Sequence, residues 1–114
     1  MARITRKQLG QLRPANTNAA SIYSPPAGVV GTVQSIIVTN NTGSVASFRI
    51  FLDDDGTTFD QNTALFWDEP IPVGRAIVLR VDLPMSLASG NLAVRSSTAN
   101  ALTFTVHGEE KEVG

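Results

Sequence analysis

From Val29 to the C-terminus, apolar residues recur at every second position in short segments rich in β-branched residues, and each segment is closed by asparagine, glycine, serine or proline. A period of two is the mark of a pleated strand with one buried face, and no helical period competes with it here. The clearest case is 46–53, where Ala46, Phe48, Ile50 and Leu52 alternate with Ser47, Arg49, Phe51 and Asp53. The first set is expected to face the core. The same pattern turns Ile77, Leu79, Val81 and Leu83 inward, opposite Ala76, Val78, Arg80 and Asp82, and it turns Leu102, Phe104 and Val106 inward, opposite Thr103, Thr105 and His107. Leu92 and Val94 repeat it one strand earlier, and Thr32 to Thr39 and Ala20 to Ser24 add two further strands.

Turn chemistry supports this division. Pro25-Pro26-Ala27-Gly28, Asn40-Asn41-Thr42-Gly43, Ser89-Gly90-Asn91 and Ser97-Thr98-Ala99-Asn100 carry the residues that tolerate turn dihedrals, and the second of them is expected to close a hairpin. Seven or eight short strands in 114 residues match an all-β, antiparallel β-sandwich of jelly-roll-like form. One domain is enough at this length, and a 42% hydrophobic, 17% charged composition provides a core and excludes disorder.

Charge is distributed unevenly. Residues 1–18 carry Arg3, Arg6, Lys7 and Arg13 and no acid, a local charge of +4, whereas the remainder sets five basic against ten acidic residues, all at or after Asp53, for −5. Residues 1–18 are therefore expected to form an extended basic N-terminal arm, with room for one short helix, on a sandwich domain at 19–114. In such an arm Ile4, Leu9 and Leu12 would fill apolar grooves on a partner while Arg3, Arg6, Lys7 and Arg13 meet its carboxylates. Four charges on an otherwise acidic chain, without interleaved aromatics, point to a protein partner and away from nucleic acid. Glu109, Glu110 and Glu112 read as a solvated tail.

Several classes of chemistry find no support. With no cysteine, disulfide scaffolds and thiolate sites are excluded. The lone His107 reads as an outward polar residue on a strand, and no phosphate loop, nucleophile elbow or histidine-carboxylate motif occurs, so no enzyme and no cofactor are expected. Asp53-Asp54-Asp55-Gly56 with Asp60 resembles half of a calcium loop, but Asn62 stands where a liganding glutamate belongs and a strand precedes it. A turn is the expectation, with no metal. Apolar runs fall far short of the roughly 20 residues of a membrane helix, and the basic start lacks the apolar stretch of a signal peptide. The chain is thus expected to remain where it is made. Ile37, Phe51 and Val78 on outward positions, together with the Leu65-Phe66-Trp67 run in which both alternating positions are apolar, point to surface covered by another subunit, with Phe66 and Trp67 among its residues.

The order of several segments resembles a family of small tailed-phage virion structural proteins. They are Lys7-Gln8-Leu9-Gly10-Gln11 with Pro14, Ile22-Tyr23-Ser24-Pro25-Pro26-Ala27-Gly28, Val33-Gln34-Ser35-Ile36-Ile37-Val38-Thr39-Asn40 and Phe48-Arg49-Ile50. Asp54-Asp55-Gly56-Thr57-Thr58-Phe59-Asp60, Asp68-Glu69-Pro70-Ile71-Pro72 and Leu102-Thr103-Phe104-Thr105-Val106-His107-Gly108-Glu109 complete the set. Ser24-Pro25 stands where the family more often has threonine-valine, and His107 where an aromatic is common. The resemblance implies a β-sandwich without catalysis, a capsid decoration or cement protein resident on the capsid surface of the virion and in the host cytoplasm before assembly. Its implied partner is the major capsid protein or another virion protein, and its implied state is a homo-oligomer, with a trimer favoured. A tail, fibre or head-tail connector component is the alternative. A virion-borne carbohydrate-binding module is another, with Trp67, Phe66 and Tyr23 as stacking residues.

Overall fold

The computed structural model describes residues 3–55, 57–86 and 90–112. Eight strands follow one another: β1 Ile4–Leu12, β2 Ala20–Tyr23, β3 Val29–Asn40, β4 Ala46–Asp53, β5 Ala64–Ile71, β6 Ala76–Met85, β7 Asn91–Ser96 and β8 Leu102–Glu112. They form two four-stranded sheets with strand orders β1-β8-β3-β6 and β2-β7-β4-β5. The pairs β1 with β8, β2 with β7, β3 with β6 and β4 with β5 are all antiparallel. First therefore pairs with last, second with second-last, and so on inward. This is a long double ribbon rolled into two sheets, the jelly-roll arrangement.

Only β4 and β5 are consecutive strands in one sheet, so every other connection crosses between sheets. The segment after Asn40 is consequently a crossing rather than the hairpin expected from its Asn-Asn-Thr-Gly sequence. Asn40 is fully buried and organises it: its side-chain amide donates to the carbonyls of Ser44 and Ile71, both at 2.9 Å, while Oδ1 accepts from the Thr42 amide at 3.0 Å. Elsewhere the turn chemistry holds, with Gly28 at φ 76° and Asn100 at φ 54°. The turn expected at Ser89-Gly90-Asn91 lies partly outside the described residues.

The core fills the space between the sheets. Val33, Ile36 and Val38 from β3, Phe48 and Ile50 from β4, Leu92 and Val94 from β7, and Leu102, Phe104 and Val106 from β8 are buried there. The Phe48 ring lies 6.1 Å from that of Phe104, edge to face, and 6.1 Å from that of Phe66. These are favourable aromatic separations.

The basic N-terminal segment departs from its expectation as a projecting arm with a short helix. Residues 4–12 are strand β1, hydrogen-bonded along β8 from Ile4 opposite Lys111 to Leu12 opposite Phe104. A break in register between Gln8 and Gly10 lets both Leu9 and Leu12 pack against the core. Gly108 on β8 makes room for this, because a Cβ there would meet the Thr32 carbonyl oxygen at 2.0 Å and Leu9 Cδ1 at 2.9 Å. The acidic C-terminal residues likewise belong to a strand, β8, rather than to a solvated tail.

Candidate functional site

The residues expected to dock a partner from the arm are used by the chain itself. Arg6 Nε lies 3.4 Å from Glu109 Oε2, and Lys7 Nζ lies 2.7 Å from Glu110 Oε1. Arg13 donates from its guanidinium to the Asn100 carbonyl, with Nε at 3.1 Å. The Arg3 carbonyl accepts from the Glu112 amide at 2.9 Å, and Ile4 is exposed. Net positive and net negative chain ends thus neutralise one another across the β1–β8 pairing.

Glu110 stands at the centre of this contact. Its side chain is largely buried, and it also accepts from the Tyr23 hydroxyl at 2.8 Å. The Lys7 hydrogen bond, in the lead over desolvation and aided by the Tyr23 bond, holds the Glu110 carboxyl below its usual value. Burial first, then Glu110, pushes the Tyr23 phenol well above its ordinary value. Because the folded-state value of Glu110 is lowered, its contribution to stability is complete above the unfolded-state value and is lost as pH falls through the folded one. Stability should therefore decline below about pH 4.5, and Glu110→Gln should flatten that decline. Thermal melts of both proteins from about pH 6 to pH 3 check this, since their difference in Tm should shrink on acidification. A constant difference would contradict it. Tyr23, with its raised value, contributes stability that is lost as pH rises above about 10.

The acidic cluster after β4 is a loop tied by its own backbone. Asp55 accepts from the amides of Thr57 and Thr58, both at 2.9 Å, Asp53 from the Thr58 amide at 2.8 Å, and Asp60 from the Asn62 amide at 2.8 Å. The Thr58 hydroxyl leads these bonds in holding the Asp55 carboxyl far below its ordinary value. Aspartates that cap neighbouring amides are turn-formers. The loop carries Phe59 over Phe51, with ring centroids 6.1 Å apart.

Phe51 is therefore buried by its own chain, contrary to its expected place in a subunit interface. Phe66 faces inward and packs against the core. Trp67 is on the outer side of β5, beside a bulge in which Trp67 and Asp68 together oppose Arg49, with Asp68 at φ 54°. The Arg49 guanidinium carbon stacks 3.5 Å from the Trp67 ring centroid, while its Nε and Nη2 reach Asp68 Oδ1 and Oδ2 at 2.6 and 3.0 Å. Arg95 is directly opposite Arg49, and its Nη1 lies 3.9 Å from the same Asp68. The Asp68 carboxylate offsets two adjacent guanidinium charges, and the Arg49 hydrogen bond leads in lowering its pKa. This cation-aromatic-carboxylate cluster escaped sequence reasoning, because only the bulge brings Trp67 and Asp68 to one arginine. It also covers a face of Trp67, and Tyr23 and Phe66 are turned inward, so the three expected sugar-stacking residues present no common platform.

Ile37 and Val78 remain. They are direct neighbours on the outer face of the β1-β8-β3-β6 sheet, on the opposite side of the sandwich from Trp67. Ile37 and Val78 adjoin on this face, Phe51 and Trp67 adjoin on the other with ring centroids 6.2 Å apart, and Phe66 packs against the core, so the five residues expected to share one oligomer interface do not form one surface. Around Ile37 and Val78 three cross-strand rows can be followed: Ala76, Thr39 and Thr103; then Val78, Ile37, Thr105 and Gln11; then Arg80, Ser35, His107 and Gln8. Eleven positions carry one formal charge, at Arg80. Val78 is 55% exposed, and Gln11 Nε2 donates to Thr105 Oγ1 at 3.0 Å. This charge-poor face is the candidate interaction surface.

No family model matches the sequence, and no curated protein matches it. Among solved structures, the chain is similar to one in the structure of the infectious bursal disease virus Gx strain, with TM-score 0.48 and 12% identity. It is similar to one from the Gt strain of that virus, with TM-score 0.46 and 11% identity, and to the VP2 subviral particle, with TM-score 0.42 and 10% identity. The matches cover 97%, 96% and 96% of this chain and 32% of each viral chain, so it spans about a third of their length.

Proposed function

We propose that this chain is a structural component of a virus particle and, more narrowly, a capsid decoration protein that binds the assembled shell. The observation that carries this reading is the outer face of the β1-β8-β3-β6 sheet, where Val78, Ile37, Thr39, Thr103 and Thr105 adjoin without an intervening charge. Depletion of charge is the compositional sign of the centre of a protein interface, and open surface is ordinarily charge-rich. The resemblance to small tailed-phage virion proteins implies as partner the major capsid protein or another virion protein. A rolled double ribbon suits the role because its first and last strands pair and its ends are tied into one sheet. A protein that binds only the assembled shell stabilises that shell by mass action.

Substituting Thr39→Glu together with Thr103→Lys tests the face. These residues are direct cross-strand partners, so the new charges pair with each other and leave the fold intact. The double variant should melt within a few degrees of the wild type and bind stripped shells at least about tenfold more weakly, since two charges must then be desolvated on docking. Unchanged binding would remove this face from the interface.

A further inference from the structure

The two ends of the sandwich differ in charge. At one end the connecting segments 13–19, 41–45, 72–75 and 97–101 hold Arg13 and Arg75 and no acid. At the other the segment 54–63 holds Asp54, Asp55 and Asp60 and no base. β6 runs from the first end to the second, so its ten residues, at about 3.3 Å each, place the two ends about 30 Å apart.

The acid-free end presents a rigid apolar tip. Pro72, Val73, Gly74 and Arg75 form a four-residue turn in which the Arg75 amide donates to the Pro72 carbonyl at 3.2 Å. Gly74, at φ 70°, supplies the positive dihedral that a type II turn requires at its third residue. The Arg75 carbonyl accepts from the Asn40 amide at 2.8 Å, which ties the turn to the end of β3. Val73 is 48% exposed at the tip. Arg75 is exposed as well and forms no ion pair among the described residues.

The acidic end holds an open pocket of about 450 Å³ where β4 and β6 end. Leu52, Pro84 and Met85 give it an apolar wall, Asp53 and Asp54 supply carboxylates, and among the described residues none of its lining side chains is basic. Its volume falls within the ~300–1,000 Å³ of ligand pockets, which leaves room for the tip of a turn.

We propose that the Pro72–Arg75 turn of one copy of this chain seats in the pocket of a second copy, joining copies head to tail. Val73 meets the wall of Leu52, Pro84 and Met85, and the Arg75 guanidinium meets the Asp54 carboxylate at the rim. The two sides are complementary, since an apolar knob followed by a cation faces an apolar wall beside two acids. A turn about 30 Å from its own pocket cannot fill it, so the occupant is another copy. Because the turn is already formed, it loses little conformational entropy on docking. Each copy gives one turn and receives one, a heterologous contact that closes into a ring or extends as a row. The contact rests on the fold alone, independently of a role in the virion, and uses residues outside the charge-poor face of the β1-β8-β3-β6 sheet.

Sedimentation equilibrium of the full chain, of Val73→Asp, of Asp54→Arg and of an equimolar mixture of these two variants tests the proposal. The wild type should associate reversibly as its concentration rises. Each variant alone should associate at least about tenfold more weakly, Val73→Asp because a carboxylate then faces the apolar wall and its acids, and Asp54→Arg because two guanidinium groups then meet. The mixture should form a 1:1 complex, because the pocket of the first variant and the turn of the second are both intact. In the wild type, amide exchange at Val73, Gly74 and Arg75 should slow as protein concentration rises, a reading that needs no variant to fold. The proposal is overturned by a wild type that stays monomeric up to ~1 mM. Association indifferent to either single change, a mixture no more associated than its components, or concentration-independent exchange would overturn it equally.

Discussion

Removing residues 1–12 should unfold the protein or bring it close to unfolding, because residues 4–12 are a strand of the sandwich and not an appendage to it. Three losses combine. β8 loses the partner along one edge, from Lys111 to Phe104. Leu9 and Leu12 no longer cover the core, and two leucines, each worth about 1.5–3 kcal/mol when fully buried and less here because they are half-buried, contribute about 2–4 kcal/mol. Glu110 loses the Lys7 ammonium and is left with Tyr23 in a largely buried setting, which adds a desolvation cost. The sum is a substantial part of the ~5–15 kcal/mol by which domains are stable. At roughly 4–8 °C per kcal/mol for a domain near 100 residues, the melting temperature should drop by at least about 10 °C. Circular dichroism melts of the truncated and full chains decide the matter, and a truncated chain that melts within a few degrees of the full one would contradict the account.

Phe48→Ala should be the most damaging single substitution in the core. Phe48 is 1% exposed, lies on a central strand and touches aromatic rings from both sheets, Phe66 on β5 and Phe104 on β8. Truncation removes the transfer free energy of the ring and leaves a cavity that neighbours on two sheets cannot both collapse into. The expected cost is about 3–5 kcal/mol. Denaturant unfolding with an unchanged m-value checks it, and a cost below about 1 kcal/mol would mean that the two sheets do not meet at this residue.

Strands whose one face is buried were legible because their apolar residues alternate. Phe48, Ile50, Leu92, Val94, Leu102, Phe104 and Val106 are all core residues, as the alternation requires. Where the ladder is irregular, alternation misleads. Leu9 and Leu12 are three apart, a helical spacing, and only the register break between Gln8 and Gly10 reconciles it with a strand whose leucines both reach the core. The signal that could have placed β1 was the opposite charge of the two chain ends, since Arg6 meets its direct partner Glu109 and Lys7 meets the diagonal neighbour Glu110 across the β1–β8 pair.

Outward hydrophobes were legible as unusual but not as to what covers them. Phe51 and Val78 look alike in sequence, each on the outer side of an amphipathic strand. Phe51 is buried under Phe59 from a loop whose aspartates hold it in place, whereas Val78 has no such cover and is 55% exposed. A loop that folds back on a sheet leaves no periodic trace. The Arg49, Trp67, Asp68 and Arg95 cluster was hidden for a similar reason, because it depends on one bulge and on the cross-strand pairing of two arginines far apart in the chain.

The proposal that this chain decorates a capsid is tested most directly by its copy number in particles purified from the virus that encodes it, measured by quantitative mass spectrometry against the major capsid protein. A decoration protein occupies repeating positions on the shell, so the count should be in the hundreds or stand in a simple ratio to the capsid subunit. Absence from the particle, or a count near a dozen or fewer, as a single vertex would hold, would contradict that role.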